Sequence, residues 1–160
     1  MRFEHLVQIN DPLQPLLTEV SRAQLWRGLV RRAERPAEFV LGLAGATIEQ
    51  RVDEPGRLQL VRTLDFGSFR VHDRVLLTAD RLSVTEVEAA AAYPASRLTI
   101  CIEEPPGGSL FLRFTYESEE QPGSGELDAL TRQLREQAYR SADIDTVWRI
   151  RELLERGEMG

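Results

Sequence analysis

No lysine occurs anywhere in this chain; all 20 of its basic residues are arginine. That absence removes lysine Schiff-base chemistry and a Walker-type phosphate loop together. Cysteine is nearly absent too. The single one, Cys101, excludes an intrachain disulfide and a cysteine-based metal cluster, and no base lies near it in sequence to activate a thiolate. Two histidines, His5 and His72, are too few for a histidine-rich metal site, so neither metal nor cofactor is expected. No apolar run approaches the roughly 18 residues of a membrane-spanning helix. The opening MRFEHLVQIN alternates polar and apolar residues instead of forming a signal-peptide core. The expectation is a cytoplasmic protein without a membrane span. A formal charge of −6 argues against general nucleic-acid binding.

What is present fits a single domain over residues 1–160, with 42% apolar and 29% charged residues. One local concentration of positive charge stands out: Arg22, Arg27, Arg31, Arg32 and Arg35 along one predicted helix. It reads as a solvated face rather than a phosphate-binding patch.

Residues 2–9 alternate as a strand, with Phe3, His5, Val7 and Ile9 on one face. His5 among apolar neighbours reads as a core histidine first and a general acid/base second. Ser21 with Gln24 has capping-box spacing and opens a helix through about Glu34. Pro36 starts a second short helix through Leu41, ended by GLAG. From Ala46 to Glu117 the period changes to two, and six segments read as strands of one antiparallel sheet. A turn-rich connector, ESEEQPGSG at 117–125, precedes a long helix from Leu127 to Arg156. In that helix Leu127, Leu130, Leu134 and Ala138 form one stripe, whose continuation reaches Ser141, Asp145 and Trp148. Val147, Ile150, Leu153 and Leu154 point elsewhere, so the stretch SADIDTVW marks a bend, a break or a gap that something other than sheet fills.

The segment LVRTLDFGSFRVHDRVLL, residues 60–77, reads as two strands around a Gly67-Ser68 turn of type II′. That turn places Leu64 opposite Val71, Leu60 opposite Val75, and Arg62 opposite Asp73, all on one otherwise apolar face. Thr63 and His72 pair on the other, solvent-facing side. The Arg62–Asp73 pair is either a structural salt bridge beneath the terminal helix or a polar anchor in an apolar cavity, with Arg62 orienting a carboxylate, phenolate or enolate. A three-residue Glu54-Pro55-Gly56 loop would set Gln50 opposite Leu60 as a second inward polar group, and Ile48 opposite Arg62. Across a five-residue loop, Ile102, Ile100 and Leu98 would face Leu110, Leu112 and Phe114, leaving Cys101, Phe111 and Arg113 outside.

The order is therefore α+β: one strand, two short helices, six further strands and a long C-terminal helix. This order, together with SRAQLWRGL and FGSFRVHDRV, resembles the START-like, polyketide-cyclase-type helix-grip (SRPBCC) superfamily. More narrowly, FEHLVQIND, QLWRGLVRRAERP, LTICIEEPPGGSLFLRFTYE and ADIDTVWRIREL resemble the small AtaL-like family. The resemblance implies a curved seven-stranded sheet wrapped around the terminal helix, with a hydrophobic cavity between them. It brings no catalytic signature to map onto these residues.

On that footing the first expectation is a binding module for a small hydrophobic ligand of polyketide, lipid or aromatic type. Phe39, Phe66, Phe69 and Tyr116 are candidate lining residues, as are Leu112, Phe114 and Trp148, with Arg62, Asp73, Gln50 and His5 as the polar groups. The second is a cyclase-, dehydratase- or isomerase-type enzyme in the same cavity, with Arg62 stabilising negative charge and Asp73, His5 or Tyr116 moving a proton. The third is a homodimer without ligand, formed through an exposed strand face that includes Phe111 and Cys101.

Overall fold

Period-two alternation produces the strands it predicts: β1 Arg2–Asn10, β2 Gly45–Glu54, β3 Arg57–Asp65, β4 Arg70–Thr78, β5 Leu82–Val87, β6 Ser96–Glu103 and β7 Leu110–Ser118. The computed structural model describes residues 1–120 and 125–159, so residues 121–124 of the expected connector lie outside the described residues. All neighbouring strands are antiparallel in one seven-stranded sheet, in the order β1-β7-β6-β5-β4-β3-β2. Among the described residues two α-helices complete the fold, α1 Arg22–Glu34 and α2 Glu126–Glu155.

The N-terminus of α1 is held by the expected reciprocal cap. The Gln24 backbone N–H donates to Ser21 Oγ at 3.1 Å, and the Ser21 N–H donates to Gln24 Oε1 at 2.9 Å. The second helix shrinks to a single 3₁₀ turn, Pro36–Glu38. Phe39 caps the turn, its N–H donating to the Pro36 carbonyl at 3.0 Å, and the chain turns at Gly42, whose φ of +85° favours glycine.

Helix α1 and the C-terminal half of α2 pack on β1, β6 and β7. The resulting core includes Leu25, Leu29, Ile100, Leu112, Phe114 and Ile150. A second cluster joins Ala33 of α1 to Leu60, Val75 and Leu77 of β3 and β4. The helices touch where α1 has no side chain: a Cβ at Gly28 would lie 2.8 Å from Ile150, which is 1% exposed. Gly28→Ala is therefore expected to destabilise the protein by about 1–3 kcal/mol through overpacking, read as a lowered thermal midpoint. Combining it with Ile150→Val should restore part of the loss. Arg151, buried on α2, ties the helix to β1 and the loop after it by donating to the carbonyls of Ile9 and Thr18.

Helix α2 is continuous over 30 residues, with no break at SADIDTVW. Val147, Ile150 and Leu153 are buried at its C-terminal end, and an unbroken helix carries that phase backwards through Asp143 and Tyr139. Leu134 and Leu130 lie nine residues before Asp143 and Tyr139, about two and a half turns, hence on the opposite side. The leucine stripe is accordingly exposed: Leu127, Leu130 and Leu134 all face solvent. No described helix is long and apolar enough to cross a membrane.

Candidate functional site

Between α2 and the concave face of the sheet lies a cleft of about 410 Å³. Its apolar wall includes Leu64 and Phe66 of β3 and the turn after it, Val71 of β4, and Val40. Tyr116 of β7 and Tyr139 of α2 close another side, their rings stacked at 3.9 Å with 9° between planes. The polar groups on the wall include Arg32, Arg62 and Asp73.

The hairpin that supplies Arg62 and Asp73 has the expected register. Residues pair from Asp65–Arg70 through Arg62–Asp73 to Leu60–Val75, and Gly67 turns the chain at φ +87°. On the inner face Arg62 and Asp73 are 4% and 5% exposed. Arg62 Nε donates to Asp73 Oδ1 at 2.8 Å and NH2 donates to Oδ2 at 2.6 Å, a bidentate pair. The remaining amine, NH1, donates to the Ala33 carbonyl at 2.7 Å, binding the last turn of α1 to the sheet. All three nitrogens of Arg62 thus have protein partners. On the outer face Thr63 Oγ1 meets His72 Nδ1 at 3.0 Å.

A second polar cluster has Asp143 of α2 at its centre, 1% exposed. The Tyr116 hydroxyl donates to Asp143 Oδ1, and His5 Nδ1 lies 3.0 Å from Oδ2. Burial raises the Asp143 pKa above the ordinary carboxylate value, while the bonds from Tyr116 and His5 oppose the rise. Burial, reinforced by the neighbouring Asp143, also pushes the Tyr116 phenol well up, so it stays protonated as a donor. Phe3 seals the cluster: its ring stacks on Tyr139 at 5.9 Å, and the Arg140 guanidinium lies 5.1 Å over its face.

Four of the arginines expected on a solvated face of α1 find surface partners. Arg22 reaches the Asp80 carbonyl, Arg27 the Met159 carbonyl, and Arg31 and Arg35 the Glu38 carboxylate. Arg32 departs from the group. It turns into the cleft, where its Nε is sealed from solvent and has no hydrogen-bond partner among the described residues. Desolvation lowers its pKa, Arg62 adds to the effect, and Tyr116, Asp143 and Asp73 oppose it.

Of the side chains expected around the cavity, Arg62, Asp73, Phe66 and Tyr116 do line the cleft. The others are elsewhere. Leu112 and Phe114 are fully buried in packed core, with Phe39 against its edge. Phe69 stacks on Phe66 at 4.9 Å but stays half-exposed at the hairpin tip. Trp148 is exposed because it lies outside the buried Val147–Ile150 phase of α2. Gln50 is a correction: β2 and β3 are joined by a two-residue Pro55-Gly56 turn, so Gln50 opposes the outward Val61 and is exposed. A bulge between Ile48 and Gln50 then restores the expected Ile48–Arg62 pair. The β6–β7 register is also shifted, with Ile102 opposite Leu112 and Ile100 opposite Phe114, but the shift is by two residues and the faces are as expected. Cys101 lies on the outer face opposite Arg113, its thiol pKa raised chiefly by burial.

Sequence reasoning missed Asp143, Tyr139 and Arg32. The helical spacing of Tyr139, Asp143, Val147 and Ile150 was a signal for the first two, outweighed by the more apolar leucine stripe. Arg32 had no such signal among five similar arginines.

The profile of the family described as "Acetylaranotin biosynthesis cluster protein L" (AtaL) matches residues 7–157. No curated protein matches the sequence. Among solved structures, the di-domain aromatase/cyclase StfQ of the steffimycin pathway superposes with a TM-score of 0.68 at 10% identity, over 98% of this chain and 51% of that one. The chain thus spans about half of that two-domain protein. The Zhui aromatase/cyclase of Streptomyces sp. R1128 gives 0.60 at 12% identity, over 98% of this chain and 94% of its own. Ara h 8.0201 gives 0.56 at 11% identity, over 94% and 97%. At such identities the likeness speaks for the helix-grip fold alone.

Proposed function

This chain belongs to the AtaL family, within the START-like helix-grip superfamily, and on that premise we propose that it holds a small hydrophobic molecule in the cleft between sheet and C-terminal helix. The observation that carries this reading is the cleft itself. It is about 410 Å³ in volume and is walled by aliphatic and aromatic side chains together with polar and charged ones, Arg32, Arg62 and Asp73 among them. That is the composition and size range of small-molecule sites, about 300–1,000 Å³. The aromatase/cyclases of similar fold make an aromatic or polyketide-like ligand the natural candidate.

The test uses N-phenyl-1-naphthylamine, an uncharged fluorescent aromatic. Saturable one-site binding is expected, and Val71→Trp, which fills the cleft, should weaken it by roughly tenfold or more. No binding, or binding indifferent to Val71→Trp, would discard the cleft as a site. Native mass spectrometry of gently purified protein would show whether a molecule of this class is already carried.

One observation favours a second reading, an enzyme of cyclase, dehydratase or isomerase type. Tyr116 faces the cleft and hydrogen-bonds a buried carboxyl whose pKa is raised, a pairing suited to moving a proton. Turnover of a trial poly-β-ketone should then fall in Tyr116→Phe and Asp143→Asn while probe binding persists. Products identical to those formed in buffer alone would remove this reading.

A further inference from the structure

We infer that the ligand of this cleft carries an anionic oxygen, a carboxylate or an enolate, and that Arg32 is the side chain that receives it. The inference rests on the proposed binding function and narrows it to a ligand class. Arg97 and Glu117 also line the cleft, Arg97 half-exposed and paired with Glu86. The four charged side chains that lie close together are Arg32, Arg62 and Asp73 on the wall and Asp143 beside them. Three are committed within the protein. Arg62 and Asp73 neutralise each other in a bidentate pair, and Asp143 accepts from Tyr116 and associates with His5. Arg32 alone of the four makes no ion pair or hydrogen bond among the described residues, and its Nε is cut off from water.

A guanidinium cannot shed its proton at physiological pH, so Arg32 stays a cation whose buried Nε–H is an unsatisfied donor. Such a group is costly unless something supplies acceptors. The protein places no acceptor on it, yet orients it onto a wall whose other members, Phe66, Tyr116 and Tyr139 among them, offer apolar and aromatic surface. A hydrophobic body with one ionised oxygen matches both demands. A neutral hydrocarbon would fill the cleft and leave the cation unpaired. Arg62 is not an equivalent receptor, since its charge is already neutralised by Asp73 and each of its nitrogens already donates within the protein.

The experiment displaces the uncharged probe N-phenyl-1-naphthylamine with two molecules of like size, 2-naphthoate and its neutral analogue 2-acetonaphthone, at pH 7.5. Naphthoate is expected to compete about 10–100-fold better, the range of a desolvated charge-assisted hydrogen bond. Arg32→Met should abolish that advantage while leaving acetonaphthone unaffected, and Arg32→Lys should retain part of it. The thermal midpoint of ligand-free Arg32→Met should not fall, because the native side chain has no hydrogen bond to lose. Equal competition by the two molecules in a protein that binds the probe would overturn the anionic-ligand inference and leave the hydrophobic site standing. A naphthoate advantage that survives Arg32→Met in a folded protein would overturn the role of Arg32. Failure of the probe itself to bind would instead remove the binding function on which the inference rests.

Discussion

Asp73→Ala is expected to destabilise the protein by about 3–5 kcal/mol, because it leaves the Arg62 cation buried without its counter-charge. For a chain of this length that corresponds to a fall of about 6–20 °C in thermal midpoint. Arg62→Met should cost a comparable amount, since it strands Asp73 and also releases the Ala33 carbonyl at the end of α1. The double variant Arg62→Met/Asp73→Leu should recover most of the loss, because an apolar pair of similar volume leaves no uncompensated charge. Denaturant unfolding of the four proteins closes the double-mutant cycle. Additive losses would mean that the two side chains do not act as a pair. The pair stands on the cleft wall, but each nitrogen of Arg62 already donates to Asp73 or Ala33 and its charge is neutralised there, so its role is to brace α1 against β3 and β4. The polar anchor expected of Arg62 is accordingly assigned to Arg32.

Asp143→Ala should cost roughly 2–4 kcal/mol, because it leaves the buried Tyr116 hydroxyl and His5 Nδ1 without their shared acceptor. Asp143→Asn keeps the shape and one acceptor oxygen and should cost less. The two variants also separate a packing role from an electrostatic one through pH. The native Asp143 carboxyl holds its proton more tightly than the unfolded chain does, since burial raises its pKa. Between the unfolded carboxylate value, about 4, and the raised native value, the native state binds more protons. Stability contributed by this group is therefore fully present below about pH 4 and is lost as pH rises through the native value. The difference in unfolding free energy between wild type and Asp143→Asn should shrink or reverse in sign as pH is raised across that window. A constant difference from pH 4 to 8 would show that the carboxyl titrates as it does in the unfolded chain.

The hairpin at Gly67-Ser68 was fully legible because a two-residue turn leaves one register, and one register places Arg62 against Asp73. The β2–β3 pairing was not, because the Pro55-Gly56 turn and the bulge near Glu49 shift the register in compensating ways. Ile48 came out opposite Arg62 as expected, whereas Gln50 did not face inward. Capping chemistry was equally readable: Ser21 and Gln24 carry their partners within three residues. The extent of the Pro36 helix was less so, since three residues of 3₁₀ turn and six of helix share the same start signal.

Strand alternation, the turn at Gly67, the capping box and the element order are properties of neighbours in the chain, and local chemistry was enough to determine them. The site was decided otherwise. Packing of Val147, Ile150 and Leu153 against the sheet sets the rotation of α2, and the helix, being unbroken, transmits that rotation to Tyr139 and Asp143 while turning Leu127, Leu130 and Leu134 outward. The choice of Arg32 over its four neighbours depends on where α1 docks relative to Ile150 of α2 and Arg62 of β3. Residues far apart in sequence meet in such contacts, so no local pattern foretells which arginine is left facing an apolar cleft without a partner.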